Sequence, residues 1–393
     1  MKNPHGSAET KGPLRVRPAD QPRKDLPGGR TEHAVCADKL TPAKIPDQMG
    51  EAAPNARKTA PLLAGGNPAA RRPAGWRKAG FCHVDFFIPF DTITAGFMRD
   101  GSTSYPVRFG HEFVGRVTQV GEQVKSFRPG DRVISEGFVS CGRCEECRKG
   151  NFRRCRNLMS VGTIHTWPGS YAEYVLFPER HLLKVPDSIC DDAAALIEPA
   201  AVGMDGVQKA NIRPGESVVL VTGSGTIGIA AAALAKHYGA KKVLVSGRTS
   251  GKLEVARRMG ADAACNSREE SLSEFVRRET DGHGVDSLIE CSGNIRVLDD
   301  CVDVLAEGGT LAVVAFYEEL YTTFDIDKFV MKNCRLESVM DHAYQEVLRA
   351  MLDGVDLTPL ITRHIPFSEC GSFMTEHLRE KSRSDIKVMV DFP

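Results

Sequence analysis

A chain of 393 residues exceeds what one hydrophobic core ordinarily organises, so two domains with additional sequence are expected. Lysine plus arginine and aspartate plus glutamate stand at 51 each, and 41% hydrophobic with 26% charged residues is ordinary globular composition, which argues against nucleic acid or an acidic polymer as partner. The first residues lack the apolar stretch of a secretory leader, so the 12 cysteines read as reduced thiols and metal ligands of a cytoplasmic protein rather than as a disulfide framework.

In chain order, residues 1 to 75 hold 11 of the 22 prolines, with scattered basic residues and no sustained helix or strand period. Such a segment buries too little apolar surface to offset its ordering entropy, and disorder is predicted. Its arginines, among them Arg15, Arg17, Arg23 and Arg30, also fit a transit peptide, but its several acids do not. From Phe81 to Pro199 short apolar runs alternate with turn signals: Phe113 to Val120, the Pro129-Gly130-Asp131 turn before Arg132-Val133-Ile134, and Tyr171 to Phe177. This pattern predicts an all-β, barrel-like unit.

From Val202 to about Met340 strands alternate with helices: Ser217 to Thr222, Ile227 to Tyr238, Lys242 to Ser246, Gly251 to Met259, Asp286 to Cys291, Ile295 to Leu305 and Thr310 to Ala315. The alternation predicts an α/β doubly wound parallel sheet covered on both faces. The uncharged run Val218 to Ala235 is long enough to raise a membrane question, yet glycines interrupt it, so it reads as strand, turn and buried helix. Two further helices near Tyr344 to Leu352 and Phe373 to Glu380 and a strand Ile386 to Asp391 complete the chain.

Cys141, Cys144, Cys147 and Cys155 crowd into one loop rich in Gly, Arg and Glu. Four thiolates converging tetrahedrally, with no position left for water, describe a closed structural zinc site. An iron–sulfur cluster is the rival metal, and a set of reduced surface cysteines the rival without metal. Three other segments offer ligands: Cys82 in Cys82-His83-Val84-Asp85, His111 and Glu112 after Gly110, and Glu198 before Pro199. Singly, such residues are more often core fillers or satisfied polar groups.

Val218 to Thr222 is followed by Gly223-Ser224-Gly225-Thr226-Ile227-Gly228 and an alanine-rich helix. A Gly-x-Gly-x-x-Gly placed between strand and helix binds a dinucleotide, the glycines allowing the turn, the approach of pyrophosphate and close helix packing. An NAD site wants an acid at the end of the second strand, whereas an adjacent arginine accepts a 2′-phosphate. Gly247 stands there with Arg248 after it, so NADP is favoured over NAD, with Ser246 and Lys252 as further phosphate contacts.

The order of these motifs resembles the zinc-dependent medium-chain dehydrogenase/reductase family, alcohol dehydrogenases in the wide sense, from about Phe81 to Asp391. Glutamate at 198 before proline resembles the polyol branch, the sorbitol and threonine dehydrogenases. The resemblance implies a GroES-like β-barrel catalytic domain over 76–201, a Rossmann domain over 202–340 and a return of 341–393 to the catalytic domain. It makes Cys82 and His111 zinc ligands, Glu112 and Glu198 carboxylates that bind the metal or exchange with its water, and Asp85 the carboxylate that orients His111. Such a mixed site with one open position keeps zinc Lewis acidic, as alcohol deprotonation before hydride transfer requires.

The resemblance also sets Cys291-Ser292 and Ala315-Phe316 beside the ribose and nicotinamide, and borders the substrate cleft with the loop Gly162 to Gly169, which reads as readily as a surface loop. It implies two zinc ions per chain, NAD(P), a small alcohol or polyol substrate, no nucleic-acid or membrane partner, and a homodimer or homotetramer. Two departures stand out. Val84 replaces the hydroxyl residue that carries the alcohol proton outward, and residues 1–75 do not read as the strands that open the catalytic domain in this family. They motivate an alternative, a catalytically impaired homologue that binds NAD(P) and zinc. A zinc-free reductase fits less well, because such proteins lack the four-cysteine lobe.

Overall fold

Strands that are apolar on both faces must be covered on both sides, and the residues between Val218 and Val313 obey that rule. The computed structural model describes residues 61–62, 78–80, 108–162, 167–317, 325–377 and 384–392. The expectations for residues 1–60, for Cys82 to Phe90 and for His165 and Thr166 lie outside them. Six strands pair in the order Ala263–Asn266, Lys242–Gly247, Val218–Thr222, Val285–Glu290, Leu305–Val313, Arg335–Ser338, every pair parallel. This is the expected doubly wound order, with its switch point between Val218–Thr222 and Val285–Glu290.

Side-chain alternation sends each strand's residues to opposite layers. Val219 and Val221 pack with the alanines of helix Thr226–His237, while Leu220 packs with Phe275 of helix Leu272–Glu279. The alanines let another helix come close. A Cβ on Gly203, in helix Ile197–Lys209, would stand 3.0 Å from the Ile227 carbonyl oxygen and 3.2 Å from the Ala231 nitrogen. That helix was not expected, because its glycines and the proline of Ile197-Glu198-Pro199 hide its period, although proline is tolerated in a first turn.

The second six-stranded sheet runs Ile361–Pro366, Lys387–Asp391, Lys78–Gly80, Glu112–Arg116, Arg132–Ser135, Leu182–Lys184. The last strand, Lys387–Asp391, thus pairs with Lys78–Gly80, which precedes the nucleotide motif, and carries Ile361–Pro366 on its other edge; all contacts but the Ile361–Pro366 pair are antiparallel. The strand expected over Tyr171 to Phe177 is a correction: only Phe177–Pro178 is extended into a pair. Upstream of it, Ser170 and Tyr171 donate their N–H groups to the carbonyls of Gly110 and Phe109 at 2.8 and 2.9 Å, so this stretch folds against the residue before His111. The uncharged Val218 to Ala235 run is strand, turn and helix, and among the described residues no helix is long and apolar enough to cross a membrane.

Candidate metal and nucleotide sites

The four-cysteine loop folds around the short helix Glu145–Arg148 and the turn Phe152–Arg154. Sulfur separations are 3.4 Å for Cys144 to Cys147 and 3.9 Å for Cys141 to Cys147 and for Cys144 to Cys155. A tetrahedron with metal–sulfur bonds of about 2.3 Å has edges of about 3.8 Å, so the loop fits a zinc and is too open for a disulfide. The N–H groups of Cys147 and Arg156 hold the Cys144 thiol down to about 6, whereas burial pushes Cys155 up to about 12. Burial also lowers Arg180, and the neighbouring Cys147 and Cys141 sulfurs counteract that.

His111 precedes strand Glu112–Arg116, which Glu112 opens, and Glu198 stands in the first turn of helix Ile197–Lys209, where the helix dipole favours a carboxylate. All three are buried, and their candidate ligand atoms lie within 4.8 Å of one another. Residues from two segments more than 80 positions apart therefore meet at one point, with a donor set that suits zinc. Cys82 is outside the described residues, but Gly80, two residues before it, is the strand partner of Glu112.

Four residues of this pocket escaped the sequence reading. The Lys387 ammonium donates to the Glu112 carboxylate, both side chains buried. A Cβ on Gly137 would sit 2.7 Å from Glu198 Oε1, so the carboxylate occupies space that only glycine leaves. The Gly137 N–H donates to the Tyr344 hydroxyl at 2.8 Å. His342 stacks on Tyr344 with centroids 5.5 Å apart, and its Nε2 is 3.9 Å from Glu198 Oε1. Burial holds the His342 imidazole down to about 3, so it is neutral at physiological pH.

The glycine turn is built as the motif requires. Gly223 has φ +95° and a Cβ there would lie 2.8 Å from the Cys291 backbone; one on Gly228 would strike the Gly223 carbonyl, and over Gly225 there is open space. The Gly223 turn and the Cys291-Ser292 segment thus face each other at the switch point. Behind them Glu290 is fully buried and accepts from the Ser292 N–H at 2.8 Å, the Thr222 hydroxyl at 3.2 Å and the Tyr317 hydroxyl at 2.6 Å. The Ser292 hydroxyl also donates to it. Gly293 brings that segment to Phe316, since its Cβ would be 3.1 Å from the Phe316 carbonyl oxygen, and Ala315 follows the same strand end.

Other candidates are placed differently. The Thr226 hydroxyl donates to the Ile386 carbonyl at 2.8 Å and the Lys252 ammonium to that of Asp385 at 2.7 Å, so both tie down the chain before its last strand. Ile227 packs under Gly203. Ser246 is buried at the end of its strand, and Arg248 is exposed one residue beyond Gly247, whose own Cβ position is filled by the Ser224 hydroxyl at 2.2 Å.

Known proteins agree with this layout. The alcohol dehydrogenase GroES-like domain family matches residues 76–187, and the zinc-binding dehydrogenase family matches residues 226–355. An L-threonine 3-dehydrogenase of Anaeromyxobacter dehalogenans is 36% identical over 274 residues, 67% of this chain and 76% of the relative. A zinc-binding dehydrogenase of Sinorhizobium meliloti, solved with NADP, superposes with a TM-score of 0.72 at 25% identity over 85% of this chain and 98% of that one. An Escherichia coli alcohol dehydrogenase complexed with NADH gives a TM-score of 0.71 at 25% identity over 84% and 94%.

Proposed function

This chain belongs to the zinc-dependent medium-chain dehydrogenases of the alcohol dehydrogenase superfamily, and on that premise we propose which of its residues perform the reaction. It is an oxidoreductase that moves a hydride between a secondary alcohol or polyol and NAD(P). Cys82, His111 and Glu198 hold a catalytic zinc, with Glu112 exchanging between Lys387 and the metal, and Cys141, Cys144, Cys147 and Cys155 hold a second, structural one. When bound, the catalytic zinc supplies the Lewis acidity that makes a substrate hydroxyl acidic near neutral pH.

The chain's own groups do the rest. Gly137 leaves the room in which Glu198 turns inward, and Tyr344, bonded to the Gly137 N–H, and His342 wall the same carboxylate. Gly223, Gly225 and Gly228 admit pyrophosphate at the start of helix Thr226–His237. Glu290 fixes Ser292 and Tyr317 at the strand ends, so that Cys291, Ser292, Ala315 and Phe316 form the bed for ribose and nicotinamide. The exposed guanidinium of Arg248, with no acid at Gly247, selects NADP over NAD.

The protein assembles as a homodimer through strand Arg335–Ser338, whose four residues are all exposed at the sheet edge, beside the exposed side chains of Val330 and Met331. Antiparallel pairing about Leu336 sets Arg335 opposite Glu337 of the second copy, so the edge is complementary to itself. A four-cysteine metal lobe suits a reducing compartment such as the cytoplasm.

The observation that carries this reading is the convergence of His111, Glu112 and Glu198 within 4.8 Å. The test is metal analysis of the purified chain together with NADP and NAD reduction by simple secondary alcohols, sugar alcohols and amino alcohols. Two zinc ions per chain, one of them lost with all activity in His111→Ala and Glu198→Ala, are expected. Undiminished turnover in those variants would refute the assignment.

A further inference from the structure

Between the two metal sites runs the connection Glu136-Gly137-Phe138-Val139-Ser140, whose Phe138–Val139 pairs as a short strand with Met159–Ser160, leading from the catalytic pocket to Cys141. His181, wholly buried, closes it like a clasp. Its Nδ1 lies 2.6 Å from Glu136 Oε2, and its Nε2 accepts the Ser140 backbone N–H at 2.9 Å. A backbone amide can only donate, so Nε2 carries no proton and the Nδ1–H donates to Glu136.

The cysteine lobe presses on this connection with two successive side chains. Phe152 meets the His181 ring edge-on at 5.5 Å, and the Arg153 guanidinium lies 4.5 Å over the Phe138 ring. Arg153 then reaches past the connection, donating to the Met340 carbonyl and placing its Nε 3.9 Å from Asp341 Oδ1. On its other side Asp341 is 3.5 Å from Lys209, the last residue of the helix that begins beside Glu198, and Lys209 also donates to the Ser338 carbonyl at 3.1 Å. The next residues along are His342 and Tyr344, the two that wall Glu198.

We infer that Arg153 is a positioning residue that transmits the order of the four-cysteine lobe to the catalytic pocket. Its guanidinium fixes the Met340–Asp341 segment and thereby the placement of His342 and Tyr344. The stack on Phe138 and the charge-assisted bond to a carbonyl are directional, which an exposed ion pair with Asp341 alone is not. Arg153 sits two residues before Cys155, so a metal that gathers the four sulfurs also sets where this arginine begins. The lobe then serves catalysis as well as stability, a consequence that rests on the two-zinc reading above.

The test compares full-length Arg153→Met, which keeps the alkyl stem against Phe138 but loses the charged donors, with Arg153→Lys, which keeps one. Hydrogen exchange reports on the segment without any reaction. The Ala343 amide, which donates to the Ala201 carbonyl at 3.2 Å, is expected to exchange about tenfold faster in Arg153→Met, less so in Arg153→Lys, with Val219 to Val221 unchanged. In the turnover assay the methionine variant is expected to lose about tenfold in kcat/KM for the alcohol at unchanged KM for NADP, and that loss should not add to the loss in Tyr344→Phe. Unaltered exchange at Ala343, or a rise spread evenly over the chain, would overturn the proposal. Neither result depends on whether the enzyme turns over an alcohol, so failure here is distinct from failure of the functional assignment.

Discussion

Lys387 and Glu112 form an ion pair across 275 positions of sequence, each side chain only 3% exposed. Burying two charges is costly, and their attraction recovers that cost only while both remain. Removing the cation strands a carboxylate beside His111. Lys387→Met is therefore expected to destabilise the zinc-free protein by about 3 kcal/mol or more. Zinc should restore part of the loss, because the metal then supplies the positive charge beside Glu112 that Lys387 no longer does. Urea denaturation with and without zinc measures both, and an equal loss in the two conditions would detach Glu112 from the metal site.

The sequence carried the nucleotide half well because its signals are local. A strand such as Val218–Thr222, a glycine turn and an alanine-rich helix each declare themselves within a few residues. Edge and half-buried strands do not: Arg335–Ser338 is wholly exposed and Ile361–Pro366 nearly so, and neither has the apolar period that marks a strand. His111, Glu112 and Glu198 became legible together only through their order among the other motifs. Lys387, Gly137 and His342 had no such aid. A lone lysine, glycine or histidine gains meaning only from what folding brings against it.

Gly137 makes a sharper test of Glu198 than its removal does. A Cβ there stands 2.7 Å from Glu198 Oε1, so Gly137→Ala displaces the carboxylate while every ligand residue keeps its identity. Activity is expected to fall by about a hundredfold or more, whereas stability should change by only about 1–3 kcal/mol, the usual range for overpacking. Cobalt substituted for zinc would report the displacement as an altered visible spectrum. Wild-type kinetics in this variant would remove Glu198 from the reaction.

In the proposed function, cofactor choice rests on two adjacent residues. If Arg248 holds the 2′-phosphate as proposed, Arg248→Ala removes a charge-assisted contact, so kcat/KM for NADP should fall by about tenfold to a hundredfold with NAD unaffected. Gly247→Asp, which would supply the acid that NAD prefers, cannot succeed alone, because Ser224 Oγ lies 2.2 Å from where the new Cβ would go. Gly247→Asp with Ser224→Gly and Arg248→Ala is the combination expected to reverse the preference. Steady-state kinetics with both cofactors decides it, and an Arg248→Ala enzyme that still prefers NADP would relocate the phosphate site.

Self-complementarity of the exposed edge strand can be tested by charge exchange. In the proposed dimer, with Leu336 on the two-fold axis, Arg335 of one copy would face Glu337 of the other at both ends of the pairing. Glu337→Arg then opposes two like charges at each end, and Arg335→Glu does the same with the opposite sign, so each single variant should sediment as a monomer at micromolar concentration. The double variant Arg335→Glu with Glu337→Arg restores opposite charges in reversed order and should recover the dimer. Recovery cannot come from a general effect on folding, because the double variant carries both perturbations. Single variants that keep the wild-type mass would show that this edge does not pair, and assembly would then have to use another face.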